Sequence, residues 1–464
     1  MSIPQPPSAP SAPGATGFAS ATPPKADDRP KGRRRLLADA AGAVALLLAL
    51  LVVFLLDRNA AGRSAALARR LASTTIFDPL STPIAEVRLY SKKQWIGGFG
   101  GNEASEAAVR LGLDWLARHQ ADDGHWGPDC LHLAPAGCCR GPEPCPGGGS
   151  EHRIAQTGLA ILAFQAAGHY DFNGNEYSAR VRRGLDWLLV NQRADGRLVD
   201  PQQGERSCTL YEHGIAAFAL ADACEMANSS GEEPADRYRQ AAQRAVQFIE
   251  YAQHNDGGWR YTDERELASD TSVSGWQVLA MKAAKRAGIV EVGQPCVAAV
   301  EAFFKRCEIG ASGRTGYMPG QVLSDATTGV GMLVHEFILE QPDSPLVRSG
   351  AKYLADVAEH SWKGQVLHQR RFAAHSGDFY TWYNCTLAMF QAGGEPWKRW
   401  NDVLRDHLVA LQYREPESCA NGSWDPDGRW SPQGGRVYST ALAVLTLEVY
   451  YRYKSRQAQV YEKP

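Results

Sequence analysis

Hydrophobic and polar positions alternate in two different ways along most of this chain. One kind of segment has an apolar stripe with charged residues between, which is typical of a helix with one buried face. The other kind is small and apolar almost all round, as in a helix surrounded by others, and recurs at 155–169, 211–226, 272–288, 326–339, 378–392 and 437–453. The alternation predicts six pairs of helices.

A motif of Gln, Gly and Trp marks the ends of the one-sided segments. Its strong copies place Gly four residues after Gln, at Gln120 and Gly124, Gln192 and Gly196, and Gln253 and Gly257. Trp126 and Trp259 complete two of these copies, and weaker copies lie in 299–317, 350–362 and 401–412. Gly can adopt a left-handed turn at a helix end, and Gln can bond the groups left free there. The motif predicts a stabilising role.

Repeated helix pairs bury a continuous core by packing on their neighbours. Six apolar helices inside and six one-sided helices outside predict an all-α fold, an (α/α)6 toroid over residues 101–457. All inner helices of such a toroid run parallel. The residues at their N-terminal ends are therefore expected to meet at one rim.

The first hundred residues follow a different pattern. Residues 1–35 are rich in Pro, Ser and Ala and predict a disordered tail. Residues 36–56 carry one charge, Asp39, and at about 1.5 Å per residue they are long enough to cross a membrane as a helix. Residues 57–100 are predicted to be a linker and lead-in segment. A cleaved signal peptide is the alternative, because small residues follow the apolar run.

The charges that flank the apolar run predict its orientation. Six basic residues precede it, at Lys25, Arg29, Lys31, Arg33, Arg34 and Arg35, and four follow it, at Arg58, Arg63, Arg69 and Arg70. The positive-inside rule then favours a cytoplasmic N-terminus. We therefore expect a single-pass protein of the cell membrane with an extracytoplasmic toroid.

Composition narrows the class of partners. A hydrophobic fraction of 44% is sufficient for a sizeable core. The chain has 49 Lys and Arg against 51 Asp and Glu, a formal net charge of -2. It lacks the basic excess that nucleic-acid binding usually needs, so no nucleic-acid partner is expected.

The Gln, Gly and Trp spacing resembles the QW repeats of squalene and oxidosqualene cyclases and the related repeats of protein prenyltransferase β subunits, over residues 103–453. A closer resemblance is to uncharacterised bacterial proteins with prenyltransferase and squalene-oxidase repeats. It rests on the stretches 269–277, 378–383, 393–397, 422–426, 434–440 and 447–453. The resemblance implies a toroid of the terpenoid cyclase and prenyltransferase superfamily, without an activity that can be transferred.

The chain departs from the catalytic motifs of the characterised families. The squalene-type cyclases that this chain resembles carry an Asp-x-Asp-Asp cluster, whereas the corresponding stretch here has one carboxyl, that of Asp270. Protein prenyltransferases bind zinc partly through the His of an Asp-Phe-Tyr-His segment, and Thr381 stands at that position. We therefore predict no metal site and no cofactor.

Candidate site residues lie at the expected inner rim. Asp270 and His213 are the candidates for catalysis. The candidates for ligand binding are the acids and aromatic residues at or near the starts of inner helices, namely Glu212, Trp276, Asp325, Asp378, Tyr380, Trp382 and Tyr383. Each acid can equally cap its helix, and a lone His is more often structural than catalytic.

Four of the ten cysteines crowd into a Gly- and Pro-rich insertion, at Cys130, Cys138, Cys139 and Cys145. In an exported domain they are candidates for disulfides. Free thiols and a metal site are the alternatives, although paired Cys-x-x-Cys spacing is absent from the insertion.

Three functions are compatible with these observations. The first is a membrane-anchored toroid that binds an extended apolar, isoprenoid-like or peptide ligand without cyclase or transferase chemistry. The second is a lipid-modifying enzyme of the terpenoid cyclase or prenyltransferase type, with Asp270 as its acid. The third is a structural scaffold at the membrane. The loss of the catalytic motifs favours the first.

Overall fold

The structure is a computed structural model that describes Arg88 and residues 92–128, 152–200, 210–230, 236–289, 292–321, 324–362, 379–427 and 429–452. In chain order its helices are α1 (Lys92–Phe99), α2 (Glu103–Arg118), α3 (Arg153–Ala166), α4 (Ser178–Val190), α5 (Leu210–Ser230), α6 (Asp236–Tyr251), α7 (Thr271–Arg286), α8 (Gln294–Cys307), α9 (Asp325–Phe337), α10 (Pro345–Val357), α11 (Phe379–Ala392), α12 (Gly394–Leu411), α13 (Ser431–Leu447) and α14 (Val449–Arg452). A single π-helical turn, Ala358–Trp362, extends α10. The predicted all-α class is confirmed.

The odd-numbered helices from α3 to α13 form a closed ring. Each contacts the next along the chain, and α13 contacts α3. The helices from α2 to α12 with even numbers pack outside the ring, most of them over two adjacent inner helices. This arrangement is consistent with the predicted toroid of six inner and six outer helices.

The burial pattern explains which helices lie inside. Every residue of α3 is buried, whereas α6 buries only one face, which includes Tyr238, Ala245 and Phe248. The chain also forms a helix in the lead-in segment, α1, that the sequence pattern did not predict, and the helix predicted over 437–453 is divided into α13 and the short α14. Helices α1 and α14 contact each other, and α14 also packs on α11 and α13.

The Gln of the repeated motif links neighbouring repeats. Gln253 Nε2 donates to the carbonyl of Gly257 in its own turn (2.9 Å) and to that of Cys296 in the next outer helix (3.1 Å). The same pair of bonds recurs at Gln120, Gln192 and Gln412. Since Gln412 reaches Ala108 of α2 (2.8 Å), the last repeat is fastened to the first. Each helix ends just before its Gln, and the Gly occupies the following turn.

The predicted membrane placement requires a correction. No helix in the part of the chain that the structure describes is long and apolar enough to cross a membrane. The anchor predicted at 36–56 and the tail at 1–35 lie outside the described residues. This finding on the described helices contradicts the predicted single-pass location with an extracytoplasmic toroid.

The disulfide prediction falls on residues that are not described. Cys130, Cys138, Cys139 and Cys145 all lie in the gap between 128 and 152. The five cysteines that the structure does describe carry thiols rather than disulfides, at Cys224, Cys296, Cys307, Cys385 and Cys419.

Candidate functional site

Asp270 is the N-cap of α7. Its backbone is extended (φ -128°, ψ 155°), and its Oδ1 accepts a hydrogen bond from the Val273 amide at 2.8 Å. The residue is fully buried. The capping role that the sequence offered as the ordinary explanation of this carboxyl is thus present in the structure.

A chain of hydroxyl groups connects the other oxygen of Asp270 to the surface. The Tyr317 hydroxyl donates to Asp270 Oδ2 at 2.9 Å, and it lies 2.9 Å from the Tyr261 hydroxyl. Tyr261 is 43% exposed. The buried carboxyl is therefore in hydrogen-bonded contact with a residue at the surface.

The surroundings of Asp270 favour its protonated form. Burial raises its pKa to about 6, although the Val273 amide, the Tyr317 hydroxyl and the charge of Arg260 act in the opposite direction. The Arg260 Nε atom is 3.6 Å from Oδ2, too far for a direct hydrogen bond. A carboxyl with a pKa near 6 can give up or take a proton close to neutral pH.

His213 has a structural environment. Its Nδ1 accepts from the Leu198 amide at 3.2 Å, and its Nε2 donates to the Ala245 carbonyl at 2.9 Å. The ring is fully buried, and burial lowers its pKa to about 4. Both ring nitrogens are thus occupied in the neutral form, between α5 and α6.

The predicted rim acids have different hydrogen-bond partners. Glu212 is buried, with its Oε1 2.9 Å from His152 Nδ1, and this contact raises the pKa of His152. Asp325 accepts from the Tyr353 hydroxyl of the outer helix α10 at 2.8 Å. Asp378 lies outside the described residues.

Three of the four predicted aromatic residues take part in contacts between α7 and α11. Trp276 of α7 stacks on Tyr383 of α11, with ring centroids 5.6 Å apart, and the Tyr380 hydroxyl is 3.4 Å from the Ser272 carbonyl. Because α7 and α11 are not adjacent in the ring, these contacts cross its interior. Trp382 is different: it contacts His407 of the outer helix α12.

Sequence reasoning missed three tyrosines around Asp270. Tyr211 stacks on Tyr261, with centroids 6.2 Å apart, and Tyr317 bridges Tyr261 and Asp270. Burial is the main cause of the raised pKa of Tyr211, and the charges of the nearby Tyr380 and Asp270 raise it further. We call Tyr211, Tyr261, Tyr317 and Tyr380 the tyrosine mouth.

A sequence signal for part of this group exists. Tyr261 and Tyr317 each stand four residues after a left-handed Gly of the repeat, Gly257 and Gly313. The equivalent position after Gly196 is Asp200, which makes a buried ion pair with Arg153. Positions four residues after the repeat Gly therefore supply residues to the region where the inner helices begin.

Arg452 lies in the interior of the ring and was also missed. Its guanidinium is 5.2 Å from the ring centroid of Phe218 on α5 and 5.7 Å from that of Tyr383 on α11. These two helices face each other across the ring. The backbone carbonyl of Arg452 accepts from Arg88 Nη2 at 2.8 Å, which ties the segment before α1 to the end of α14.

A metal site was not expected from the sequence. Among the described residues there is no group of three or more His, Cys, Asp or Glu that could hold a metal ion.

Comparison with known protein families finds a match over part of the chain. Residues 95–206 match the family model of the squalene-hopene cyclase C-terminal domain, which is less than half of the chain. No curated protein matches the sequence.

Solved structures are similar to this chain at low sequence identity. An inactive variant of the α-1,6-mannanase GH76A of a Salegentibacter species is 9% identical, with a TM-score of 0.50 over 75% of this chain and 99% of that one. A variant of the type II terpene cyclase MstE from Scytonema is 12% identical, with a TM-score of 0.47 over 75% and 97%. A protein from Actinoplanes is 16% identical, with a TM-score of 0.43 over 75% and 99%. The mannanase likeness shows the fold alone.

The closed double ring of helices defines an α/α toroid. The repeats and the family match at 95–206 support the resemblance to the terpenoid cyclase and prenyltransferase toroid superfamily. The part of the chain at 95–206 is similar to the C-terminal domain of squalene-hopene cyclases.

Proposed function

We propose that this toroid binds an extended apolar ligand, an isoprenoid-like chain or an apolar peptide segment, at the tyrosine mouth, without cyclase or transferase chemistry. The observation that carries the proposal is the group of aromatic side chains that continues from the surface into the ring. Tyr261, at the outer end of this group, is 43% exposed, and Tyr380, at the inner end, is 7% exposed.

The chemistry of the mouth suits such a ligand. Tyrosine offers an apolar ring face together with a hydroxyl that can remain hydrogen-bonded, and pockets for small molecules are mostly apolar with a few polar groups. In the mouth the hydroxyls of Tyr261 and Tyr317 bond each other and Asp270, so their polar ends are satisfied. Tyr211 stacks on Tyr261, and the exposed remainder of the Tyr261 side chain is the surface for an apolar chain.

The interior of the ring limits how deep a ligand can lie. Below the mouth, the stacked rings of Trp276 and Tyr383 cross the ring, and Arg452 lies beside Tyr383. A chain held at the mouth would therefore lie over this layer of side chains, in contact with Tyr380.

Binding is tested with the purified full-length protein and geranylgeraniol as the probe. Ligand retained after gel filtration is quantified by mass spectrometry for wild type, for Tyr211→Ala with Tyr261→Ala, and for the control Tyr353→Ala. The mouth variant is expected to lose at least about tenfold in affinity, or about 1.4 kcal/mol. The control removes a tyrosine that bonds Asp325 in the outer layer and should bind normally. Unchanged retention by a folded mouth variant would refute the proposal, and an apolar peptide probe tests the other ligand class.

A second candidate function is acid–base chemistry on an isoprenoid, and it is favoured by the raised pKa of Asp270 and its tyrosine chain to the surface. The two functions differ in the outcome for Asp270→Asn. If the protein only binds its ligand, Asp270→Asn should retain as much ligand as the wild type. An enzyme should convert an isoprenoid into a product that mass spectrometry detects, and Asp270→Asn should abolish the conversion.

A further inference from the structure

The seam where the last repeat meets the first holds a thiol and an imidazole in direct contact. The Cys419 Sγ atom is 3.3 Å from His119 Nε2, although 300 residues separate them in the chain. Cys419 lies in the turn after α12, and His119 directly follows α2. We propose that Cys419 and His119 form a reactive thiol site that takes small, uncharged soft electrophiles.

The fold determines which nitrogen of His119 faces the thiol. Its Nδ1 is 2.7 Å from the Trp115 carbonyl, one helical turn earlier. A carbonyl only accepts, so Nδ1 carries a hydrogen, and in the neutral ring Nε2 holds the lone pair. The imidazole also stacks on the Trp115 indole, with centroids 4.0 Å apart, which holds it in the orientation that faces Sγ. This is the arrangement of a nucleophile, a base and a group that orients the base.

A positive charge lies on the same two turns. Arg118, next to His119, donates from Nη2 to the Asn421 carbonyl at 2.8 Å, two residues beyond Cys419. The Arg118 guanidinium thus lies against the turn that carries Cys419, and a positive charge close to a thiol favours the thiolate. The other ionisable side chains between residues 119 and 126 and between residues 412 and 424 are Asp122, Asp123, His125, Tyr413, Arg414, Glu415 and Glu417.

The remaining described thiols have different surroundings. Burial raises the pKa of Cys224, Cys296 and Cys307 to about 12. Cys385 points its Sγ to the Asp325 carbonyl at 3.1 Å, an acceptor that stabilises the thiol. Cys296 is the closest match to Cys419, because each is 7% exposed. The charge of the Glu250 carboxylate raises the pKa of Cys296, whereas the group in contact with Cys419 is an imidazole.

The reaction is a simple substitution. Nε2 of His119 takes the thiol proton as Sγ attacks the carbon of an alkyl halide amide such as iodoacetamide. The new bond joins sulfur to that carbon, and iodide leaves with the bonding electron pair. No oxidant or metal is involved.

Site-resolved alkylation of the native full-length protein tests the site. With limiting iodoacetamide at pH 7, Cys419 should be labelled at least about tenfold faster than Cys296, since thiolate is the reactive form. His119→Asn places an amide nitrogen at the position of Nδ1, where it can donate to the Trp115 carbonyl, but removes the base. It should lower the Cys419 rate by about tenfold or more and leave the Cys296 rate unchanged.

The wild-type pH profile decides the matter if the variant does not fold. An ordinary thiol with a pKa above the assay pH loses about tenfold in rate for each pH unit of acidification. Between pH 8 and pH 6 the Cys419 rate should fall by less than this, and the Cys296 rate by the full amount. Equal rates at the two cysteines, or parallel pH profiles, would overturn the proposal.

Discussion

Two features of the Asp270 side chain have opposite effects on whether its carboxyl is charged. As the cap of α7 it accepts from an amide, and the N-terminus of a helix favours a negative charge. Complete burial favours the neutral form, and burial is the larger effect, which raises the pKa to about 6. The proton is therefore held more tightly in the folded chain than in the unfolded one.

This raised pKa predicts how stability depends on pH. In the unfolded chain an Asp has a pKa of about 3.9. Since the folded pKa is higher, Asp270 stabilises the folded state fully below about pH 4 and loses that contribution as the pH rises to about 6 and beyond. Asp270→Asn keeps a cap acceptor but does not titrate.

The stability of Asp270→Asn relative to wild type should therefore increase by roughly 1 to 3 kcal/mol between pH 4 and pH 7. Urea unfolding of both proteins at each pH measures the difference, in which the other titrating groups cancel. A difference that stays constant, or that moves in the opposite direction, would show that the folded pKa is not raised.

His213 illustrates how a repeat can imitate a functional residue. In three other repeats the backbone amide of the motif Trp donates to a hydroxyl of the inner helix. These hydroxyls belong to Thr157, Ser274 and Thr440. In the second repeat Leu198 replaces that Trp, and His213 accepts from its amide instead. The position of this His follows from the repeat pattern, and no catalytic role is needed to explain it.

At the scale of the helices and their turns, the repeat Gly is packed against its neighbour. Gly257 has φ +93°, and a Cβ there would lie 2.2 Å from the Ala299 carbonyl oxygen of α8. Gly174 also has a positive φ, +64°, but a Cβ there would meet nothing within 4 Å. The two positions separate the cost of the backbone conformation from the cost of the contact.

Gly174→Ala should cost about 1 to 2 kcal/mol of unfolding free energy, the cost of a left-handed residue. Gly257→Ala adds a clash with backbone that cannot rotate away, and roughly 3 to 5 kcal/mol is expected. Denaturant titrations of the two variants measure both values. Equal losses would mean that the close approach between repeats contributes nothing.

Helix geometry also explains why two of the predicted aromatic residues have different neighbours. Trp382 and Tyr383 are consecutive residues of a helix with 3.6 residues per turn, so their side chains are about 100° apart. Tyr383 faces the ring interior and Trp382 the outer helix α12. A cluster of aromatic residues along the sequence is therefore not one surface.

For the whole molecule, closing the ring places side chains from opposite walls in contact. Arg452 contacts Phe218 and Tyr383, which lie on opposite inner helices, and it donates to the Tyr383 hydroxyl at 3.3 Å. It is 1% exposed, so it fills part of the ring interior. Removing this side chain leaves a cavity between the two walls.

Arg452→Ala should lower the unfolding free energy by about 2 to 4 kcal/mol, as expected for a large buried side chain. Arg399→Ala is the control, because Arg399 pairs with Asp356 and Glu359 near the surface and such pairs contribute within about 1 kcal/mol. Thermal and urea unfolding compare the two variants. Losses of the same size would argue against a central packing role for Arg452.

Much of the fold could be predicted from the sequence, because hydrophobic periodicity reports directly which side of a helix is buried. The two patterns identified the inner and the outer helices, and the motif identified the turns between them. The local sequence at Asp270 likewise indicated a helix cap. Each of these features depends on residues within a few positions of one another.

The candidate sites depend on contacts that only the tertiary structure decided. Tyr317 reaches Asp270 from 47 residues away, and Cys419 reaches His119 from 300 residues away. Arg452 enters the ring only because the ring closes and α14 packs against α11 and α13. Periodicity indicates that a face is buried but not what it is buried against, since that depends on the order in which helices meet around the ring.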